Sequence, residues 1–397
     1  MSSRLPARVR RVLLQVHLWL GVGLGVLLVP VALTGTVLVF ESELDAMLRP
    51  SLYAVTGHVT GAPLDTFVER AAAVVPGSVA SNMRFSDAGP IVMMMRPAPV
   101  PAEGEGRRAR GPEAARSGPP RAVMVYLDPP TATVLGVAAF GDSLVGLVHR
   151  FHENLLLPQW GGRSVVGWIG FAMFALCITG IWVWWPRNAS FVRGLRWRRG
   201  PSTNDNLHHA FGFWAALPLA LLSLTGVYLA FPAQGRAILG SIAGVSPPPE
   251  RSAFASPVSH PALGAQAALD AGLSALGGGR PVSLAMPTSQ NRSWQVQVAD
   301  ANGAIATASI DDGTGSVRIN PSPPAGDAIA SWLRRVHEGS HHGWLWQAIA
   351  ALTGLTPALF FVTGLSIWLA KRRAETRRRA LRGSTRVPTI ARERVST

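Results

Sequence analysis

The sequence predicts a membrane α-helical protein: four transmembrane helices from a duplicated two-helix unit, with two extracytoplasmic α+β domains. Three observations predict it. The chain has four long runs almost free of charge, its arginines cluster in alternate segments flanking those runs, and a pattern in its first half recurs in its second. Of 397 residues, 48% are hydrophobic and only 15% charged, against about 25% charged in soluble domains.

The elements follow in order. Residues 1–11 are a basic N-terminus carrying Arg4, Arg8, Arg10 and Arg11. Val12–Phe40 has no charged residue, only His17, and exceeds the roughly 20 residues a helix needs to cross a bilayer. It is too long for the apolar core of a signal peptide, about 7–15 residues, and no small-x-small site follows. It reads as an uncleaved first span. The other spans are expected at 163–186, 207–231 and 343–370. A basic loop at 187–206 holds Arg187, Arg193, Arg196, Arg198 and Arg199, and a basic tail at 371–397 opens with Lys371, Arg372 and Arg373. These segments share one side if four helices cross in turn. The positive-inside rule then puts both termini in the cytoplasm. Most of the net charge of +15 is thereby explained as topology, and no nucleic-acid partner is expected.

Two extracytoplasmic segments result, 41–148 and 232–335, each followed by a short interfacial stretch, 149–162 and 336–342. In the first, Leu64–Val75 has helical periodicity. Ile91–Met95, Ala122–Leu127 and Thr133–Val137 read as strands, with a turn at Asp128-Pro129-Pro130. In the second, Ala262–Leu276 is helical, Val282–Met286, Ser293–Val298, Ala304–Ile310 and Ser316–Ile319 are strand-like, and Asp311-Asp312-Gly313 is a turn. Pro97–Arg121, rich in Pro, Gly, Arg and Glu, reads as a disordered insertion.

The repeat carries the chemistry. His17, Gly21, Thr34, Gly35 and Phe40 recur as His208, Gly212, Thr225, Gly226 and Phe231, each offset by 191. His152-Glu153, Thr179-Gly180 and Trp184 recur as His337-Glu338, Thr363-Gly364 and Trp368, with one residue of slippage. Ionisable groups inside a membrane are costly and therefore functional candidates. His17 and His208 lie about one turn inside the cytoplasmic ends of spans one and three. They face one another if those two helices pack together. His152 and His337 lie at the opposite surface. Two pairs of imidazoles suit two bis-histidine b-type haems, which need no cysteine motif. Gly21 and Gly212 leave room for a flat macrocycle, and Trp19, Phe211, Phe213, Trp182, Trp184, Trp344 and Trp346 are expected to line it.

Bland readings stand beside this one. An interfacial histidine is commonly a wet, snorkelling side chain, tryptophan is enriched at membrane interfaces in any case, and Gly21-x-x-x-Gly25 suits plain helix packing. His152 to Pro186 as one helix would run ~51 Å, so Pro158 and Gly161-Gly162 are expected to break it and leave His152 on a surface segment. His149, His341 and His342 are alternatives for the outer pair, and His209 for His208. Glu153 and Glu338 are ligand-orienting or cation-binding candidates, or solvated charges. Cys177 is the only cysteine, so neither an internal disulfide nor a c-type attachment is supported. No P-loop, dinucleotide fingerprint, zinc-protease motif or nucleophile elbow occurs. No NAD or flavin site is visible, and a reductant must come from outside the chain.

The stretches Val16-His17-Leu18-Trp19-Leu20-Gly21, His149-Arg150-Phe151-His152-Glu153-Asn154, Thr179-Gly180-Ile181-Trp182-Val183-Trp184-Trp185-Pro186 and Leu207-His208-His209-Ala210-Phe211-Gly212 together resemble the PepSY-associated transmembrane proteins of bacterial inner membranes. The resemblance implies two periplasmic PepSY-like domains. It implies an association with iron uptake, and, as in some members, ferric-siderophore reductase activity with haem inside the helical bundle. It makes His17, His152, His208 and His337 the matching histidines. The expected function is electron transfer from an unknown cytoplasmic or membrane donor to periplasmic ferric iron or ferric siderophore. The alternatives are a haem-free protein that binds or regulates a periplasmic partner or protease, and a transporter built on a parallel repeat.

Overall fold

The computed structural model describes residues 7–98, 122–185, 191–197, 200–247, 256–339 and 343–384. Residues 99–121 of the expected disordered insertion lie outside the described residues, as do His341 and His342. In chain order the elements are α1 (Ala7–Leu38), α2 (Glu41–Leu48), α3 (Leu64–Val74), β1 (Ser78–Arg84), β2 (Ile91–Pro97), β3 (Val123–Leu127), β4 (Val134–Ala139), α4 (Leu144–Asn154), α5 (Gly162–Trp184) and α6 (Phe191–Gly194). They continue with α7 (Thr203–Ala230), α8 (Pro232–Ile242), α9 (Ala265–Ala275), β5 (Arg280–Ala285), β6 (Ser293–Ala299), β7 (Ile305–Asp311), β8 (Val317–Ile319), α10 (Ala325–Glu338) and α11 (Gly343–Ser384). The chain forms two compact units, a helical one (1–39, 151–235, 331–397) and a sheet unit (40–150, 236–330).

Among the described residues of the helical unit, four helices are long and apolar enough to cross a membrane: α1, α5, α7 and α11. Each of α1 and α7 packs against both α5 and α11, so α1 and α7 stand across the diagonal of the bundle rather than side by side. Large apolar side chains point outward, among them Val26, Trp168, Ile178, Leu217, Leu224, Leu352 and Val362, while Thr179, Thr225 and Thr363 are buried. That inversion is stable in lipid, where exposed apolar surface costs nothing and packing with polar contacts drives association. Close approach depends on glycine: at Gly25 any Cβ would overlap the Phe361 ring.

The break expected near Pro158 is real. After α4 ends at Asn154, Leu155 and Leu156 adopt φ of 56° and 60°, Gly161 adopts 75°, and α5 starts at Gly162. Left-handed leucines are strained; here they reverse the chain tightly, with Gly162 N–H donating to Leu157 O at 2.9 Å. At the other end, α11 runs on to Ser384, well past the expected end of the span at 370. Its Ala/Arg-rich continuation is intrinsically helical.

In the sheet unit, the two segments expected to form separate domains contribute to one antiparallel eight-stranded sheet of order β4-β3-β2-β1-β5-β6-β7-β8. The junction is β1 with β5, through Asn82↔Ala285, Met83↔Leu284 and Arg84↔Ser283. Helices α3 and α9 contact each other and cover a single core that includes Phe67, Met83, Met93, Leu284, Trp294 and Val296. They also cap one another. Asp65 of α3 accepts from the backbone N–H of Ala265 (2.6 Å) and Gln266 (3.3 Å), and Gln266 Oε1 accepts from Leu64 N–H at 3.1 Å. Each helix thus satisfies orphan donors of the other's first turn, the role of an N-cap.

Strand β1 was not legible as a strand. Its sequence, Ser-Val-Ala-Ser-Asn-Met-Arg, is half polar, and a bulge between Ala80 and Asn82 shifts the register. Only Ala80 and Met83 are buried, three apart, which breaks the period of two expected of a strand.

Three aspartates hold loops in this unit. Burial opposes ionisation of Asp128, but hydrogen bonds from Thr131 and Thr56 outweigh it and keep its carboxyl below the usual range. Burial likewise opposes Asp312, outweighed by the N–H groups of Ala262 and Leu263, Trp294 and the nearby Arg292. Hydrogen bonds from Ser246, helped by Arg236, lower Asp327. A depressed folded-state value means stability that is complete above the unfolded value and lost as pH falls through the folded one. The sheet unit should therefore hold constant stability from neutrality to about pH 5 and weaken below about pH 4. Thermal midpoints measured from pH 7 to 3 check this. Asp128→Asn should lower stability at pH 7 and flatten the acid limb; an unchanged acid limb would remove Asp128 from the account.

Candidate functional site

The four paired histidines all fall in the helical unit, and the structure brings them together two by two. His17 on α1 meets His208 on α7 across the bundle diagonal, ring centroids 6.3 Å apart and planes at 85°. His152 at the end of α4 meets His337 at the end of α10, with centroids 6.2 Å apart and planes at 42°. The first and third spans do not pack side by side, yet their histidines face because both side chains reach the bundle centre.

Each imidazole is seated by a Thr-Gly pair on a neighbouring helix. His17 Nδ1 lies 3.0 Å from Thr179 Oγ1, and His208 Nδ1 lies 2.9 Å from Thr363 Oγ1. His152 Nδ1 is 3.3 Å from Thr34 Oγ1, and His337 Nδ1 is 3.0 Å from Thr225 Oγ1. The glycine that follows each threonine passes under the ring. A Cβ at Gly226 would stand 2.8 Å from His337 Cε1, at Gly35 2.9 Å from His152 Cε1, at Gly180 3.2 Å from His17 Cε1, and at Gly364 3.4 Å from His208 Cε1. The recurrence of Thr-Gly was visible in the sequence; that it forms the histidine seats was not.

The protonation pattern follows from the acceptors. His152 Nδ1 is 2.8 Å from Val31 O, and His337 Nδ1 is 3.0 Å from Leu222 O. A carbonyl only accepts, so Nδ1 carries the proton in both rings and the lone pair is on Nε2.

The other candidates are placed elsewhere. His149 pairs with Glu41 in the sheet unit at 3.4 Å, and it is His208, not its neighbour His209, whose ring meets His17. Glu153 pairs with Arg163 at 3.2 Å and Glu338 with Arg334 at 3.4 Å. Of the aromatics expected to line the site, Trp19, Phe211, Trp182 and Trp344 are exposed on the outside. Trp184 is buried and stacks on Phe213 with centroids 4.2 Å apart. Among the described residues, no group of three or more His, Cys, Asp or Glu is arranged to hold a metal ion.

The sequence model of the PepSY-associated TM region matches residues 14–371, from just before His17 to Lys371 within α11. The chain belongs to this family. With four apolar helices of spanning length, it is a multi-pass membrane protein, and this PepSY-associated protein combines a helical bundle with an antiparallel sheet unit. No curated protein matches the sequence.

The spacing of each histidine pair suits one iron held between the two rings. With metal–nitrogen bonds of about 2 Å and each ring centre about 1 Å behind its nitrogen, two axial imidazoles on one iron have centroids roughly 6 Å apart. The two pairs stand at 6.3 and 6.2 Å. Nδ1–H held by an oxygen acceptor is also the usual setting of a metal-ligating histidine.

Proposed function

We propose that this chain holds two b-type haems, one on His17 and His208 and one on His152 and His337, and passes electrons across the bacterial inner membrane. The acceptor is ferric iron or a ferric siderophore in the periplasm, which makes the chain a ferric reductase. The observation that carries the reading is the pair of matched His–His spacings, each with oxygen acceptors at Nδ1.

A haem so held supplies one-electron chemistry, with a potential set by its ligands, hydrogen bonds and burial. The chain's own part is positional. It tethers the histidines by hydrogen bonds and surrounds them with apolar helices. Along α1, His17 and Thr34, the partner of His152, are separated by about 25 Å at 1.5 Å per residue, which sets the two pairs near opposite faces of a ~30 Å hydrocarbon core. The electron donor lies outside this chain.

We also read the architecture as a duplicated helix–domain–helix unit with both termini cytoplasmic and two PepSY-like halves in the periplasm. Support comes from the equivalent order of α3-β1-β2-β3-β4 and α9-β5-β6-β7-β8. Asp128 and Asp312 make matching contacts, with Thr56 N–H in one half and with Ala262 and Leu263 N–H in the other.

The test is an oxidised and dithionite-reduced visible spectrum of detergent-purified protein, with haem quantified as its pyridine complex. The expected result is a b-type spectrum near two haems per chain, with His17→Ala and His152→Ala each removing about one. Absence of haem from protein made with ample haem supply would sink the reading and leave a binding or regulatory role for the sheet unit.

A further inference from the structure

We propose that Thr34, Thr179, Thr225 and Thr363 are positioning residues that lock the paired histidines in the Nδ1–H tautomer and so present Nε2 as the ligand atom. As a statement about ligation it rests on the haem reading above; as a statement about tautomers it stands alone.

The direction of each hydroxyl proton decides the tautomer. Each threonine hydroxyl has a single proton, and each has a helical carbonyl four residues back to receive it. Thr34 donates to Pro30 O at 2.9 Å, Thr179 to Ala175 O at 2.7 Å, Thr225 to Leu221 O at 2.9 Å, and Thr363 to Leu359 O at 2.7 Å. With its proton so directed, the hydroxyl oxygen can only accept from the imidazole beside it, and Nδ1 must be the protonated nitrogen. A threonine needs no histidine to satisfy itself in a helix, since back-bonding to the i−4 carbonyl already does so. Yet all four occur opposite a paired histidine, on four different helices, and each is followed by a glycine that lets the ring approach. Thr225 and Thr363 are almost wholly buried, where an unpaired polar edge of an imidazole would be costly.

The four seats are not equally dependent on threonine. His152 and His337 also donate to Val31 O and Leu222 O, so a carbonyl still holds Nδ1–H if the hydroxyl is lost. His17 likewise has a backbone hydrogen-bond partner at Leu176. For His208 the threonine is the acceptor at 2.9 Å. Thr363→Val should therefore act strongly on His208, and Thr34→Val, Thr179→Val and Thr225→Val weakly on their partners.

Two readouts test this on the full-length protein in detergent. In haem-free protein labelled with 15N-histidine, the wild type should show the Nδ1–H tautomer at His208. Thr363→Val should mix the tautomers, and Thr363→Ser should restore the wild-type pattern. In haem-loaded protein, Thr363→Val should weaken retention of one haem on the order of tenfold and shift that haem's midpoint potential, leaving the other haem unmoved, with Ser again restoring both. Wild-type tautomer, retention and potential in Thr363→Val would overturn the assignment. If wild-type protein binds no haem, the haem reading fails, while the nitrogen spectra of the haem-free protein still decide the tautomer lock.

Discussion

Replacing Trp294 with alanine should destabilise the sheet unit by about 3–5 kcal/mol. Trp294 sits in β6, 1% exposed, at the centre of the core that α3 and α9 cover together. Truncation leaves a cavity that the strand ladder limits from collapsing, because β6 pairs with β7 from Ser293 to Ala299 and with β5 from Gln295 to Ala299. It also removes a polar tie. The indole N–H donates to Asp312 Oδ1 at 3.1 Å, and the same carboxylate receives the N–H groups of Ala262 and Leu263 at 3.1 Å each, fixing the loop that leads into α9. Trp294→Phe separates the terms: it keeps most of the buried area and should cost about 1–3 kcal/mol for the lost hydrogen bond and residual space. Hydrogen exchange of the β6 and β7 amides in the full-length protein reads both variants. A loss below 1 kcal/mol in Trp294→Ala would mean that the two halves of the sheet do not share a core through this residue.

The spans were legible because a membrane imposes a coarse rule. Some twenty uncharged residues are hard to explain otherwise, and all four runs proved helical. Seven of the strands were legible wherever β-branched or aromatic residues recurred between turn signals, as in Ser293–Ala299. The eighth, β1, was hidden by its polar residues and its bulge. With it was hidden the largest fact about the sheet unit, that the two halves join edge to edge at β1 and β5. Edge pairing is decided by backbone groups, which leave little trace in side-chain pattern. The histidine pairs were legible through the repeat, since equivalent positions in two halves lie at equivalent depth. Their seats were not, because Thr-Gly in an apolar helix looks like ordinary small-residue packing. The aromatics misled for a related reason: periodicity gives the face of a helix, but in a bundle surrounded by lipid the outward face is apolar too, so Trp19 and Trp344 could stand on either side.

Gly226→Val should disable the outer histidine pair while leaving the inner one intact. A Cβ there would stand 2.8 Å from His337 Cε1 and 3.5 Å from Nδ1, and the two γ-methyls of valine add bulk in the middle of a helix that cannot swing away. The ring must move, and it is held by short bonds that tolerate little movement: 3.0 Å to Thr225 Oγ1 and 3.0 Å to Leu222 O. A shift of about 1 Å takes both beyond hydrogen-bonding range and alters the 6.2 Å spacing to His152. The expected result is loss of one of the two proposed haems, with the spectrum and potential of the remaining one unchanged. Gly23→Val is the control, at an exposed position of α1 that faces neither histidine pair. Its Cβ meets nothing within 4 Å, and both haems should stay. The contrast separates a seat from a mere small residue. Equal haem content in Gly226→Val and wild type would show that the ring of His337 has freedom the close packing denies it, and the outer pair would have to be reassigned.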